Sequence, residues 1–318
     1  MDLLACSPIL IPTLNRYEHF RNCIESLSKC TLADKTELVI GLDYPPSEKY
    51  VEGWNRIKEY IPSISGFGKI TIFEEKEKNI GAVRNFQRIR KYVKDVGYDA
   101  YIFTDDDDVF SPNFLEYVNW GLKKFQKDKS ILAVCGYKRV DTSFLKNNVY
   151  KYPQFVAWGY GMWFDRREKL EQWTDFTRLE NYVKHCSLLK IFTPETYRIR
   201  TILRMIKHQY ILGDSLPYFL PEEERYCVYP SISKVRNEGF DGSGLHCGNE
   251  TAMANVYHNM VIDENMHFEP QLLEPLYCER LKEVYDAAYR RPFNFKRKVA
   301  DSMSFLIYKL TGKFWLIP

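Results

Sequence analysis

The stretch Ala100-Tyr101-Ile102-Phe103-Thr104-Asp105-Asp106-Asp107-Asp108 decides the fold of this chain. Its apolar first half predicts a short buried strand, and the next residues, Val109-Phe110-Ser111-Pro112, lead into a helix with proline in its first turn. Four carboxylates therefore stand where a central strand ends and a helix begins. Ligands of open α/β sheets bind at that edge.

Clustered carboxylates repel one another unless a cation neutralises them, and oxygen ligands suit hard cations such as Mg²⁺ and Mn²⁺. The alternative interpretation of residues 105–108 is a solvated acidic turn. The buried strand directly before them favours the metal site.

The first half of the chain alternates strand and helix patterns. Apolar runs at 9–12, 38–42, 70–73 and 100–104 predict strands, and apolar residues at helical spacing predict a helix after each of the first three. Further strands are predicted at 131–134 and 226–229. Asn15 and Glu18 are predicted to cap the first helix. The alternation predicts a mostly parallel α/β sheet covered on both faces.

Composition excludes several classes of protein. The 318 residues carry a net charge of only +3, so the chain as a whole has no strong positive electrostatic field that would attract nucleic acid. None of the eight cysteines forms a CxxC pair, which argues against a zinc site or a disulfide framework and indicates a reducing cytoplasm. We expect neither a signal peptide nor a membrane-spanning segment, since the N-terminus lacks a basic start and no apolar run reaches eighteen residues.

Motif searches remove further activities. No Gly-Lys-Ser/Thr follows the Gly-rich loop at 237–247, and no GxGxxG follows the first strand, so ATP hydrolysis and dinucleotide-dependent redox are unsupported. Gly242-Ser243-Gly244 has the wrong spacing for a hydrolase nucleophile elbow. An acidic metal site beside Arg16 and Arg84 remains, and it suits a metal-bridged diphosphate leaving group.

An ordered set of segments resembles the GT-A-fold nucleotide-sugar glycosyltransferases of the family-two type. The set comprises residues 11–16, Asp43, residues 79–85, and Asp105 to Asp107 with the following Ser-Pro-Asn-Phe-Leu. Residues 158–161 and 237–246 resemble bacterial capsule and O-antigen transferases, which are similar to the Golgi N-acetylglucosaminyltransferase that initiates complex N-glycans.

The resemblance implies a GT-A (Rossmann-like) α/β fold, with a mostly parallel sheet flanked by helices and a helical C-terminal appendage. It implies a catalytic domain at 1–250, with a nucleotide-binding half at about 1–110 and an acceptor half at about 111–250. Residues 251–318 are expected to form a helical extension with a basic amphipathic tail.

The resemblance also implies a donor-binding set. Arg16 and Asp43 would hold the base and ribose, and Arg84 the base or diphosphate. Asp105 and Asp106 would meet the ribose and the metal-bound diphosphate. Thr13 and Asn15 belong to the same expected set.

Counting back from Pro112, Asp107 falls where the family has its principal metal ligand, so Mn²⁺ or Mg²⁺ is the expected cofactor. The family often begins this motif with Glu or shows only Asp-x-Asp, which leaves the register open by one residue. Asp108 is therefore a bystander or a second ligand.

An inverting transfer needs one general base to take the proton of the acceptor hydroxyl. Asp214 lies where related enzymes place theirs, and a helix-terminal cap is the alternative role for it. The rival carboxylates are Glu222, Glu223, Glu224 and Asp241.

Trp158, Tyr160, Asp241 and His246 are expected to form the acceptor and sugar floor. Core packing is the alternative for the aromatic residues. For His246 a loop hydrogen bond is the alternative to diphosphate contact or metal ligation.

Residues 290–318 contain seven Lys and Arg residues against one acid, Asp301. Val299, Met303, Leu306, Ile307 and Leu310 fall on one helical face. A basic amphipathic segment of this kind lies on anionic membrane surfaces. Packing on the catalytic domain, or a dimer contact, is the alternative.

Together with these patterns, the resemblance implies an inverting, metal-dependent glycosyltransferase that moves a hexosyl or N-acetylhexosaminyl group from a nucleotide diphosphate donor, a UDP-sugar. The expected acceptor is a glycan or lipid-linked oligosaccharide of surface polysaccharide synthesis. The expected location is the cytoplasm, peripheral on the inner membrane face. Two alternatives stay open: a nucleotidyltransferase, which would show a Gly-rich basic loop after the first strand, and a non-catalytic carbohydrate-binding protein.

Overall fold

The computed structural model describes residues 6–146, 148–173, 176–189, 196–208, 225–243, 260–272, 275–289 and 294–317. The strands are β1 (Ile9–Thr13), β2 (Glu37–Leu42), β3 (Lys69–Glu74), β4 (Ala100–Phe103), β5 (Asp108–Phe110), β6 (Ile131–Cys135), β7 (Val149–Tyr152), β8 (Tyr160–Trp163), β9 (Tyr226–Pro230) and β10 (Val235–Asn237). The helices are α1 (Tyr17–Ser28), α2 (Val51–Tyr60), α3 (Ala82–Val96), α4 (Phe114–Lys124), α5 (Phe164–Trp173), α6 (Phe176–His185), α7 (Thr196–His208), α8 (Glu279–Tyr289) and α9 (Phe295–Thr311).

Eight strands form the central sheet in the order β3-β2-β1-β4-β8-β6-β9-β7. Strands β3, β2, β1 and β4 run parallel to one another, as the alternation of strand and helix patterns predicts. Their carboxyl ends therefore lie at one edge, where Thr13 of β1 pairs with Leu42 of β2. The predicted mostly parallel α/β sheet flanked by helices is confirmed.

The second half of the sheet is mixed. Strand β8 runs antiparallel between β4 and β6, and β7 runs antiparallel to β9 at the sheet edge. Strands β5 and β10 form a separate antiparallel ribbon in which Asn237 pairs with Asp108. This ribbon brings the loop after β10 against the acidic run.

The main core lies on both sides of the central sheet. Gly41 of β2 lets α3 approach closely, because a Cβ there would lie 2.5 Å from Oδ1 of the buried Asn85. Residues within 260–272 and 275–289 also pack on this core: Leu281 and Tyr285 are buried in it, and Asp263 pairs with the buried Lys234. The predicted domain boundary at residue 250 stays a prediction.

A second hydrophobic cluster joins α6, α7 and α9. Its buried members include Val183 of α6, Leu203 of α7 and Phe305 of α9. No helix among the described residues is both long and apolar enough to cross a membrane.

The predicted cap of α1 is wrong. Arg16, not Asn15, holds the N-cap position, and no side chain makes a capping hydrogen bond there. The helix begins at Tyr17, one residue later than the spacing of Asn15 and Glu18 requires for a capping box. The carbonyl oxygen of Asn15 instead accepts a hydrogen bond from the amide of Tyr17.

Candidate active site

The carboxyl ends of β1, β2 and β4 bring polar side chains into one crevice. The hydroxyl of Thr13, the last residue of β1, donates to Oδ2 of Asp106 over 2.7 Å. The amide of Asp43, directly after β2, donates to the carbonyl oxygen of Thr13 over 3.0 Å. Three elements far apart in sequence thus meet at the sheet edge, where an open α/β sheet binds its ligand.

Arg16 joins two carboxylates of the acidic run. One terminal nitrogen, Nη1, lies 2.5 Å from Oδ2 of Asp107, and the other, Nη2, contacts Oδ1 of Asp106. Burial opposes the charge of the guanidinium, but the two carboxylates raise the pKa of Arg16 above its ordinary value. Arg16 is therefore the cation that neutralises this pair of carboxylates in the structure.

Asp107 is also held from the opposite side by the loop after β10. Its Oδ1 accepts a hydrogen bond from Nδ2 of Asn237 over 2.7 Å, and its carbonyl oxygen accepts one from the amide of Glu238. Gly239 passes so close that a Cβ there would lie 1.9 Å from Oδ2 of Asp107. The position of the Asp107 carboxylate is thus fixed by both Arg16 and this loop.

Asp108 is fully buried on β5. Its carboxylate accepts hydrogen bonds from Thr104 and Asn237, each over 3.0 Å. Burial, with the nearby carboxylates of Asp107 and Asp105, raises the pKa of Asp108 well above its usual range. These contacts make Asp108 part of the ribbon that carries the site.

Asp105 occupies the start of the acidic run and is half-buried. Burial, followed by repulsion from Asp107 and Asp106, raises the pKa of Asp105 to about 8. The group needs a cationic or hydrogen-bonding partner to ionise at neutral pH.

Asp43 organises a neighbouring loop. Its Oδ1 accepts hydrogen bonds from the amides of Tyr44 and Ile80, and its Oδ2 accepts from the amide of Gly81 and the side chain of Asn79, over 2.8 to 3.1 Å. The carboxylate therefore ties the end of β2 to the segment that begins α3. The resemblance implies that Asp43 binds the donor. The structure shows that its carboxylate also holds the loop before α3.

The remaining predicted donor residues flank the same crevice. Arg84 lies exposed in the first turn of α3, directly after the loop that Asp43 holds. Asn15 follows β1 and is half-buried, and its carbonyl oxygen blocks any side chain at Gly53, where a Cβ would lie 2.0 Å away.

Asp241 lies in the loop after β10 and contacts α1. Its Oδ2 is 2.9 Å from Nε2 of His19, and its Oδ1 accepts from the amide and hydroxyl of Ser243. Burial opposes ionisation, but the bonds from Ser243 and His19 outweigh it and lower the pKa of Asp241 below its usual range. Asp241 is thus held as a carboxylate at neutral pH.

The two predicted aromatic residues lie in different environments. Trp158 is half-buried and packs edge-to-face on Tyr137 and on Phe240 of the loop after β10. Tyr160 is only 3% exposed on β8 and packs against Phe103 of β4. Trp158 therefore adjoins the crevice loop, whereas Tyr160 belongs to the core of the sheet.

Asp214, His246, Glu222, Glu223 and Glu224 lie outside the described residues. The assignments made for them stay predictions.

The donor atoms of the acidic run fit a hard divalent cation. They are carboxylate oxygens, and a cationic group, the guanidinium of Arg16, already lies between Asp106 and Asp107. Within the described residues no group of three or more His, Cys, Asp or Glu side chains forms a metal cage. A site of one or two carboxylates completed by substrate phosphates is the arrangement that Mg²⁺ commonly uses.

Sequence reasoning missed two contacts that shape this site. Asn237 bridges Asp107 and Asp108 from about 130 positions away, and Gly239 closes on Asp107. Both lie in the Gly-rich segment at 237–247, which the sequence analysis noted, so the composition of that segment was the available signal. The sequence did not show that this segment contacts the acidic run, because the pairing of β5 with β10 joins residues far apart in the chain.

Comparison with known proteins gives one family match. A family model described as "Glycosyl transferase family 2" matches residues 9–191, which include β1 to β8 and the acidic run. No curated protein matches the chain.

Several solved structures are distantly similar to the chain. A mannosyltransferase from Pyrobaculum calidifontis, PcManGT in complex with GDP-Man and Mn²⁺, is 14% identical, with 98% of this chain and 91% of that chain covered and a TM-score of 0.38. TarS 1–349 of S. aureus is 11% identical, with 68% and 69% covered and a TM-score of 0.37. Mouse xyloside xylosyltransferase 1 is 8% identical, with 56% and 75% covered and a TM-score of 0.37.

Proposed function

This chain belongs to glycosyl transferase family 2 and is a glycosyltransferase, and on that premise we propose that it is an inverting, metal-dependent enzyme that uses a UDP-sugar. The transferred group is a hexosyl or N-acetylhexosaminyl unit. One observation carries the proposal: the carboxylates of Asp106 and Asp107 are held beside Arg16 at the carboxyl edge of the parallel strands. A diphosphate needs both a cation and a guanidinium at such a place.

Asp107 would hold Mn²⁺ or Mg²⁺, with Asp106 beside it. When bound, the ion offsets the negative charge that develops on the departing nucleoside diphosphate. The oxygen atoms of Asp107 are already positioned by Asn237 and by the backbone of the loop after β10. Such positioning supports binding because little rearrangement of the carboxylate is needed.

The donor would occupy the crevice between the acidic run and the loop held by Asp43. Arg16 and Asp43 contact the base and ribose, and Arg84 reaches the base or the diphosphate from the first turn of α3. Thr13 and Asn15 border the same crevice. Asp105 and Asp106 meet the ribose and diphosphate.

The acceptor would enter from the side of the loop after β10. Asp241 lies in that loop and Trp158 packs on it, and with His246 they form the proposed acceptor and sugar floor. Tyr160 is not part of this floor, because its ring is buried in the core of the sheet. Asp214 takes the proton of the acceptor hydroxyl while the hydroxyl oxygen of the acceptor bonds to the anomeric carbon. The nucleoside diphosphate leaves from the opposite face of that carbon. This single displacement inverts the anomeric configuration.

We further propose that the acceptor is a glycan or lipid-linked oligosaccharide of surface polysaccharide synthesis. The work would then take place in the cytoplasm, at the inner face of the cell membrane. The resemblance of residues 158–161 and 237–246 to capsule and O-antigen transferases, and to the Golgi N-acetylglucosaminyltransferase, supports this choice of acceptor.

The test is nucleoside diphosphate release from a panel of UDP-sugars and GDP-sugars with Mn²⁺, using the full chain. We expect UDP release from one UDP-sugar, and a loss of about 100-fold or more in Asp107→Asn, because the variant removes a carboxylate charge from the site. Asp34→Asn, which changes an exposed carboxylate on another surface, is the matched control and should retain full activity.

Each other outcome has a distinct meaning. No release of UDP or GDP from any nucleotide-sugar, together with release of pyrophosphate from a nucleoside triphosphate and a sugar 1-phosphate, would identify a nucleotidyltransferase. Binding of a nucleotide-sugar without release, in the presence of candidate acceptors, would favour a carbohydrate-binding role. Full activity of Asp107→Asn would contradict the metal-site assignment.

A further inference from the structure

Helix α9 has two different faces. Asp301, Ser304, Phe305 and Tyr308 are buried against α6 and α7, and they recur at the spacing of one helical face. Asp301 pairs with Arg200 of α7, and the hydroxyl of Ser304 donates to the carbonyl oxygens of Ala300 and Trp315 over 2.8 Å. One face of the helix is therefore fully used in packing.

The opposite face is apolar and exposed. With 3.6 residues per turn, it lies about half a turn away from the packed face. Its exposed apolar side chains are Phe295, Val299, Met303 and Leu310, and Leu306 and Ile307 beside them are half-buried. Phe295 is 69% exposed and Leu310 is 72% exposed. Soluble proteins rarely leave an apolar helix face uncovered, and such patches mark interaction sites.

The residues that follow α9 turn back towards its packed face. Phe314, Trp315 and Leu316 are exposed, but the ring of Phe314 packs on Tyr308, and the carbonyl oxygens of Trp315 and Leu316 accept hydrogen bonds from Ser304 and Arg200. The uncovered apolar surface is therefore the exposed face of α9 itself.

The charge of this segment is entirely positive at its surface. Asp301, the one acid within residues 290–318, is buried and paired with Arg200. Lys296 is exposed on the same side of α9 as Val299 and Met303, and Arg297 at the start of the helix and Lys313 after its end are also exposed. Anionic lipids attract basic residues near the membrane surface.

We propose that the exposed face of α9 is a docking surface for an anionic lipid membrane. The helix lies along the surface, with its apolar side chains among the acyl chains and its basic side chains at the head groups.

Charge complementarity selects a membrane over a second copy of this chain. Two copies joined through this face would bring their basic residues together, with no exposed acid of the segment to balance them. The packed face meanwhile fixes α9 to α7, so docking through the exposed face brings the whole bundle to the membrane. This proposal goes beyond the proposed function and stands whether or not the acceptor carries a lipid.

The test is cosedimentation of the full chain with vesicles of phosphatidylcholine, with or without about one-third phosphatidylglycerol, at low and at physiological salt. We expect binding to the anionic vesicles only, weakened by salt. The variant Val299→Ser/Met303→Ser/Leu310→Ser should lower the partition coefficient by about tenfold or more, because it removes buried hydrocarbon from the docked state. Lys296→Gln/Lys313→Gln should weaken anionic binding in the same direction.

A matched control makes the result specific to α9. Val261→Ser/Met266→Ser removes two exposed apolar side chains elsewhere, 77% and 56% exposed, and should bind vesicles as the unaltered chain does. Circular dichroism and thermal unfolding should be unchanged in all variants; should the triple variant unfold, the single Leu310→Ser variant replaces it.

Three results would overturn the proposal. They are equal binding of the α9 variant and the unaltered chain, equal binding to neutral and anionic vesicles, and a concentration-dependent dimer by light scattering that the α9 variant abolishes. None of these measurements uses sugar transfer, so failure here is separate from failure of the proposed function.

Discussion

Nη1 of Arg16 lies 2.5 Å from Oδ2 of Asp107, the carboxylate that the sequence marks as the metal ligand. The same guanidinium contacts Asp106. A divalent ion bound between these carboxylates would displace the guanidinium, since two cations at that distance repel strongly. At the proposed metal site, Arg16 and the ion would therefore compete for one position, and the displaced guanidinium would be free to meet the donor.

Arg16→Ala should tighten Mn²⁺ binding measured by calorimetry without nucleotide, by about tenfold, because a charge-assisted competitor is removed. The variant should also melt at a lower temperature without metal, since two buried carboxylates lose their cation, and Mn²⁺ should restore part of the loss. Arg84→Ala, an exposed arginine of α3, is the control and should leave Mn²⁺ affinity unchanged. Equal Mn²⁺ affinities in the Arg16 variant and the unaltered chain would refute the competition.

Gly239→Ala should displace the carboxylate of Asp107 and weaken donor binding while leaving the overall fold intact. A Cβ there would lie 1.9 Å from Oδ2 and 2.6 Å from Cγ of Asp107, so the carboxylate must move. We expect metal-dependent donor binding to fall by about 10- to 100-fold, since a displacement of about 1 Å is enough for such a loss. Calorimetry with UDP and Mn²⁺ measures it.

Gly312→Ala provides the matching control for Gly239→Ala. Gly312 follows α9 at a φ of +69° with open space around it, so alanine there costs backbone strain alone. It should lower stability slightly and leave nucleotide affinity unchanged. Unaltered nucleotide affinity in Gly239→Ala would show that Asp107 tolerates the shift.

Glu37 of β2 is a buried carboxylate with several donors. It lies 2.7 Å from Nζ of Lys69 and accepts bonds from Thr71 and the hydroxyl of Tyr92. Burial raises its pKa, but these bonds outweigh burial and lower the pKa of Glu37 below the ordinary 4.5. A lowered pKa means that ionised Glu37 stabilises the fold above about pH 4.5, and that this contribution is lost as the pH falls through the folded-state pKa.

Glu37→Gln should therefore lower the free energy of unfolding at pH 7 by about 1–3 kcal/mol, and the difference from the unaltered chain should shrink below pH 4.5. Urea denaturation at pH 7 and pH 4 measures both. Glu74→Gln on β3 is the control: its pair with Lys58 is more exposed and should contribute at most about 1 kcal/mol. A difference for Glu37→Gln that grows towards acid would reverse the sign argued here.

Much of the first half of the chain was predictable from local patterns. The strand before Asp105 and the strand before Asp43 are short apolar runs, and parallel strands place their carboxyl ends together. These two facts suffice to predict the crevice and its carboxylates. The predicted strand at 100–104 ends one residue earlier, at Phe103.

The strand order in the second half of the sheet could not be predicted, because its strand pairings join residues far apart in the sequence. Strand β8 enters antiparallel between β4 and β6, and its pairing with β4 joins Tyr160 to Phe103 across 57 positions. No local period encodes that insertion. For the same reason, the aromatic character of Tyr160 did not reveal whether the ring faces the crevice or the core.

Helix α9 shows a different limit of sequence reading. Its apolar stripe was visible from Val299 to Leu310, but periodicity does not tell which face will be buried. The packed face carries Asp301 and Ser304, which are polar and acceptable there only because Arg200 and the carbonyl oxygens of Ala300 and Trp315 lie opposite them. Of the two sequence interpretations of this segment, packing describes one face of the helix, and membrane binding stays a prediction for the other.

The second hydrophobic cluster imposes an order on biosynthesis. Val183 and Leu203 leave the ribosome more than 100 residues before Phe305 and Ile317, with which they share a core. The apolar sides of α6 and α7 therefore stay exposed to solvent and to molecular chaperones until α9 has left the ribosome. Strands β1 to β4 and the loop after β10 precede α9 in the chain and need no such delay, so the crevice at the sheet edge forms before the bundle is complete.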